Sequence, residues 1–174
     1  MTPAVTIRRY QPADGSRVRE LHEAAMRDVG AYVESVSDDD LERVRETYVD
    51  AGGEFLVGER DDTIVAMGAF RPVDGSESVA TVVSDLAPSA VELTRLRVAP
   101  DHQRRGYGRR LYEALERRAR STGADELVLD TMARQTAACS LYESQGFEEV
   151  HRERIDGFDE PFELLIYRKS LAEM

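Results

Sequence analysis

Cysteine is almost missing from this chain: Cys139 stands alone in 174 residues. A single thiol excludes an internal disulfide framework and a metal site built on several thiolates. Histidine is also scarce, with three in the chain. His22, His102 and His151 share no ligand spacing, so no metal is expected, and all three read as surface or turn residues. No apolar run approaches the roughly 18 residues of a membrane span, and Met1-Thr2-Pro3-Ala4 lacks the core of a secretory signal. We therefore expect a cytoplasmic protein with no membrane partner. Linkers, low-complexity blocks and internal repeats are also missing, and residues 1–174 read as a single domain large enough to bury its own core.

Lysine is the other scarcity, since Lys169 is the only one among 23 basic residues. A P-loop of the form G-x-x-x-x-G-K is therefore impossible. The formal net charge is −11, and so acidic a surface repels phosphates, which speaks against a nucleic-acid partner. Acid-rich, lysine-poor surfaces resemble those of halophilic proteins, where salt screens self-repulsion and dilute buffer should destabilise the fold. A GC-rich genome, which favours arginine and aspartate codons, yields the same composition.

Elements follow from periodicity and punctuation. Thr6–Tyr10 reads as a strand, and Gly15–Val29 as a helix capped by Asp14 or Ser16. A second helix is expected from Ser37 to Asp50, with Asp38-Asp39-Asp40 complementing its dipole. Glu54–Arg60 and Thr63–Arg71 form a hairpin across Asp61-Asp62, and Ser78–Val83 is a candidate extra strand. Strands at Val91–Val98, Glu126–Asp130, Phe147–Arg152 and Phe162–Arg168 and helices at Tyr107–Arg120 and Gln135–Ser144 complete a mixed α/β sheet wrapped by helices. On the long helix Tyr107, Leu111, Leu115 and Ala119 recur at i+4, with Ala114 beside them, which marks its buried face. In Val91–Val98 the apolar positions slip from odd (Val91, Leu93) to even (Leu96, Val98). Such a phase change signals a β-bulge, or else a strand buried on both faces.

The segment Gln103-Arg104-Arg105-Gly106-Tyr107-Gly108 lies between that strand and the long helix. Strand, glycine turn and helix start together make a cradle for a pyrophosphate, because the helix N-terminus offers N–H groups and about half a positive charge. Arg104, Arg105, Arg109 and Arg110 crowd this end, where cations oppose the dipole. A phosphate ligand resolves the conflict; free solvation is the plainer alternative. The glycine spacing does not match the dinucleotide fingerprint G-x-G-x-x-G.

The pattern Q-x-x-G-x-G after L-x-V-x-P resembles the acetyl-CoA loop of the GNAT superfamily of N-acetyltransferases. Downstream, Leu127-Val128-Leu129-Asp130-Thr131, then Gln135 and Ala138-Cys139-Ser140-Leu141-Tyr142-Glu143-Ser144-Gln145-Gly146-Phe147, are similar to the strand and the A-x-x-L-Y-x-x-x-G-F helix that follow in that family. The likeness covers residues 91–150. It implies a central mixed sheet of six to seven strands with about four flanking helices, and a cleft where the fourth strand bulges away from the fifth.

It also implies roles. The main chain of Leu96, Arg97 and Val98 would pair with the pantetheine arm of acetyl-CoA, with the Val98 N–H as oxyanion donor. Gln103, Arg104, Arg105, Gly106, Tyr107, Gly108 and Arg109 would hold its pyrophosphate. Thr131 and Gln135 lie beside the arm, although the family often has asparagine where this chain has Gln135. Tyr142 takes the position of the acid that protonates the leaving thiolate, its alternative being aromatic packing. Glu92 is the first candidate for the base and Asp130 the second; Glu92 could equally pair with an arginine, and Asp130 cap the next helix. Cys139 reads as a small buried thiol. The implied activity is transfer of acetyl from acetyl-CoA to an amine of a small molecule or peptide, by a monomer or homodimer without metal. A CoA-binding sensor that keeps the fold without catalysis, and a protein N-terminal or side-chain acetyltransferase, are the alternatives.

Overall fold

A computed structural model describes residues 4–32, 38–73, 79, 82–157 and 160–171. Seven strands form one sheet: β1 (Thr6–Arg9), β2 (Glu54–Arg60), β3 (Thr63–Pro72), β4 (Val91–Val98), β5 (Glu126–Met132), β6 (Glu148–Ile155) and β7 (Phe162–Ser170). Their order is β1-β2-β3-β4-β5-β7-β6, and every neighbouring pair is antiparallel except β4 and β5. Among the described residues, the sheet is flanked by the α-helices α1 (Gly15–Asp28), α2 (Tyr107–Ser121) and α3 (Thr136–Ser144). No helix among the described residues is long and apolar enough to cross a membrane.

Local chemistry explains most of these elements. The β2–β3 turn places Asp61 and Asp62 at φ 51° and 62°, the twist that a two-residue hairpin needs and aspartate tolerates. The expected face of α2 is buried, Leu111, Leu115 and Ala119 completely. Gly68 of β3 lets that helix sit close, since a Cβ there would lie 2.8 Å from Leu115 and 3.0 Å from Leu96. At the sheet edge, β6 alternates charges along an exposed strand (Glu148, Glu149, Arg152, Glu153, Arg154), which discourages edge-to-edge pairing.

Three expectations change. The segment read as a second helix contains a 3-10 turn at Asp39–Glu42 and a π turn at Arg45–Val49 where it is described, with Ser37 outside the described residues. Tertiary contacts override helix propensity there: Asp40 accepts a 2.5 Å hydrogen bond from the buried Tyr48 hydroxyl and, like Asp38, pairs with Arg95 of β4. Asp14 does stand at the N-cap of α1, but its carboxylate takes Arg8 and the Gln11 N–H instead of capping the helix. Of the candidate strand Ser78–Val83, residues 78, 80 and 81 lie outside the described residues; Val79 and Val82 are helical, and the Val83 N–H donates to the Val79 carbonyl at 2.9 Å.

Candidate active-site cleft

β4 stays paired with β3 along its length but with β5 only at Val91–Leu127 and Glu92–Val128. Beyond Glu92 the two parallel strands part. The cause lies on the other edge of β4. Met67 pairs with Arg97 and Ala69 with Thr94, so Arg95 and Leu96 together oppose Gly68. This is the bulge signalled by the parity slip. Arg95 takes φ 59°, a left-handed conformation that costs a non-glycine residue about 1–2 kcal/mol. Its side chain offsets that cost through Asp38 at 3.0 Å and Asp40 at 2.6 Å.

The glycine loop closes one end of the cleft. Arg104 (φ 63°) and Gly106 (φ 81°) turn the chain, and α2 begins with no side chain capping it. The first N–H groups of α2 are thereby left open to an anion. A Cβ on Gly106 would meet nothing within 4 Å, whereas on Gly108 it would lie 3.4 Å from Val98 Cγ2. Gln103 ties loop to strand by donating to the Val98 carbonyl at 3.2 Å.

Leu96, Arg97, Val98, Gln103, Arg104, Gly106, Tyr107, Gly108, Arg109 and Gln135 line one cavity of about 460 Å³. Arg105, Thr131, Glu92 and Tyr142 lie outside its lining. Thr131 is buried behind it, donating to Gln135 Oε1, which also accepts the Met132 N–H. Glu92 is buried at the foot of the splay, 3.9 Å from Arg71. The cavity also takes in Ala25 and Met26 of α1, Val29 just past its end, and Ala137, Ala138 and Leu141 of α3, none of which was expected at the site from sequence. For α1 the only signal was an apolar stripe that runs past the core to Val29. No group of three His, Cys, Asp or Glu suited to a metal ion is found among the described residues.

Tyr142 is buried with its ring against Phe147 and Tyr167 at centroid distances of 5.6 and 6.1 Å. Burial pushes its hydroxyl up to about 12, against the opposing pull of the Arg97 charge, so it remains protonated at neutral pH. Asp130, exposed at the end of β5, acts electrostatically on the same Tyr142 and Arg97.

His22, expected at the surface, is 4% exposed. α1 brings it under the bulge, where Arg95 approaches at 3.1 Å and the Arg97 Nε donates to Nδ1 at 3.3 Å. Burial pushes the imidazole down to about 3, helped by the Arg97 and Arg95 charges and opposed by Asp40. The folded protein therefore keeps His22 neutral while the unfolded chain binds a proton below about pH 6.5. Stability should fall as pH drops below that value, by up to roughly 1.4 kcal/mol per pH unit for this one group. Urea unfolding between pH 6.5 and 4.5 checks this: His22→Asn should show a shallower decline than the natural protein, and parallel declines would remove His22 from the acid response.

Residues 17–147 match the acetyltransferase (GNAT) family. The chain belongs to that family. Among curated GNAT relatives, human N-acetyltransferase 8 is 29% identical over 120 residues, 68% of this chain and 49% of its own length. The amino-acid acetyltransferase of Azotobacter vinelandii is 30% identical over 78% of this chain and 29% of its own. The chain thus spans about half or less of these relatives. Of solved GNAT structures, the ribosomal-protein-alanine N-acetyltransferase of Brucella melitensis is 25% identical with a TM-score of 0.78, covering 95% of this chain and 99% of that one. The Salmonella typhimurium protein yncA, solved with its cofactor acetyl-CoA, shares the fold at a TM-score of 0.79 and 24% identity, over 98% and 96% of the two chains.

Proposed function

We propose that this GNAT protein is an N-acetyltransferase that moves acetyl from acetyl-CoA to a primary amine by direct attack in a ternary complex. One observation carries the reading. A strand edge freed by the Arg95 bulge and an uncapped helix start at Gly106 open on the same cavity. The first suits the amides of a pantetheine arm, the second a pyrophosphate. The S. typhimurium protein of the same fold was solved with acetyl-CoA, which supports that choice of cofactor.

The residues divide the work by position. The main chain of Leu96, Arg97 and Val98 supplies the strand edge, and the Val98 N–H is the donor for the developing oxyanion. The N–H groups of Tyr107, Gly108 and Arg109, with Arg104 and Arg105, hold the phosphates, while Gln103 fixes the loop against β4. Thr131 and Gln135 brace the end of β5 beside the arm. In the transfer the amine nitrogen bonds to the acetyl carbon as the carbon–sulfur bond breaks. The amine gives up a proton to a carboxylate, Glu92 through water or Asp130 directly, and Tyr142 returns one to the thiolate. A thiol of ordinary pKa near 8.5 makes a slow leaving group without such a donor. Alignment of the two substrates in one cleft contributes the largest rate factor.

Calorimetric titration with acetyl-CoA, in concentrated KCl and in dilute buffer, tests the cradle. Saturable binding of one acetyl-CoA per chain is expected, followed by thiol release when an amine is added. Binding with no release across amine classes would mark a CoA-binding module without catalysis. Absence of binding in both salt regimes would overturn the reading.

A further inference from the structure

We infer that the acceptor is an amine bearing its own carboxylate, a free amino acid or an N-unblocked derivative of one, and that the Arg97 side chain receives that carboxylate. This rests on the acetyl-transfer reading above and names the second substrate for it.

Two arginines leave β4 on the same face, and they are treated differently. Arg95 is neutralised by Asp38 and Asp40, at 3.0 and 2.6 Å. Arg97 has no carboxylate within ion-pair distance among the described residues. Its Nε donates to His22 Nδ1 and one terminal nitrogen to the Leu96 carbonyl, both uncharged acceptors. His22 cannot serve as an anion and, held neutral, adds no second positive charge. Burial draws the Arg97 guanidinium down to about 10, with Arg95 contributing, so it remains a cation at neutral pH. A half-buried cation whose protein partners are all neutral is set to take an anion from the cleft. The planar fork of an arginine matches a carboxylate.

Strand geometry says which anion is meant. Side chains alternate along a strand, and Val98 points to Gly108 at the start of α2. Arg97 therefore points away from the glycine loop, toward α1 and His22, and is on the wrong face to hold the pyrophosphate. It still lines the cleft, and the buried Tyr142 hydroxyl lies within its electrostatic reach. Asp130 of β5 acts on Arg97 electrostatically, and Asp38 does so more weakly from the α1 side. A zwitterion fits these two poles, carboxylate on Arg97 and amine toward Asp130. A polycationic acceptor would place its extra charge against Arg97. A peptide N-terminus, whose own carboxyl is tied into an amide, would leave the guanidinium uncompensated.

The test compares matched acceptors by thiol release. L-methionine, L-phenylalanine and L-glutamate are run against their α-amides and a short peptide, with natural protein, Arg97→Gln and Arg97→Lys. Natural protein should favour the free α-carboxylate by about 10- to 100-fold in kcat/KM, the range expected of a charged hydrogen bond. Arg97→Gln should bring the ratio near one, and Arg97→Lys should leave it between the two. Thermal unfolding checks the folding of both variants and acetyl-CoA titration their loading; because the ratio is taken within one protein, a change in cofactor affinity cancels from it. If Arg97→Gln fails to titrate, the ratio in natural protein and in Arg97→Lys decides. Amides or peptides that match the free acids, or a carboxylate preference that survives Arg97→Gln, would overturn the inference. Normal acetyl-CoA titration with no amino acid acetylated would overturn it alone, leaving the acetyl-transfer reading intact. A protein that binds no acetyl-CoA would take both down.

Discussion

Gly108→Leu is expected to weaken acetyl-CoA binding by at least about 100-fold, roughly 3 kcal/mol, in a protein that remains folded. A Cβ at this position already lies 3.4 Å from Val98 Cγ2, and the remaining leucine atoms have only the cavity to enter. The added side chain would occupy the space between the start of α2 and β4 and keep a phosphate from the helix N–H groups. Gly108→Ala makes the prediction sharper. Alanine is favoured over glycine in a helix by up to about 1 kcal/mol, and Gly108 has no positive φ to protect. Stability should hold or rise while affinity falls, and thermal unfolding beside calorimetry reads both. Gly106 behaves differently: at φ 81° even alanine strains the turn, although nothing lies within 4 Å of the added carbon. Undiminished affinity in Gly108→Leu would remove the loop from cofactor binding.

Tyr142→Phe should lower kcat by about 100-fold, within the range for loss of a general acid, with little change in acetyl-CoA affinity. The ring packs on Phe147 and Tyr167 and phenylalanine preserves that packing, so a loss confined to turnover isolates the hydroxyl. The acid role further predicts that a thioester with a more acidic thiol will narrow the gap, because its thiolate departs without a proton. A deficit independent of the leaving group would remove the proton-donor role, and unchanged turnover would assign Tyr142 to packing alone. Its hydroxyl, raised to about 12 by burial, stays protonated across the neutral range, so activity should show no loss from its ionisation there.

Several parts of the cleft were legible because they depend on neighbours in sequence. The parity slip between Leu93 and Leu96 marked the bulge, since a period of two cannot change phase in a strand without an extra residue. The i+4 stripe from Tyr107 to Ala119 marked the face of α2 that is buried, and the Asp61-Asp62 turn marked the first hairpin. The acid run Asp38-Asp39-Asp40 was misleading for a complementary reason. Read locally, it is a helix start, but its partner Arg95 is 55 residues from Asp40 in sequence. His22 was misplaced in the same way. A single histidine on α1 carries no local sign that two arginines from β4 will enclose it.

Sequence by itself therefore determined where the seven strands fall along the chain, the bulge, the glycine helix start and the GNAT family resemblance. All are set by spacing within a few residues or by motifs that follow in fixed order. Tertiary structure alone decided how the charges are shared. It paired Arg95 with Asp38 and Asp40, kept His22 neutral, set Glu92 beside Arg71 behind the cleft, and left Arg97 with neutral partners. The physical reason is that a charge takes its value from what surrounds it in space. Burial and the nearest opposite charge act over a few ångströms, and those few ångströms join residues that the chain keeps far apart.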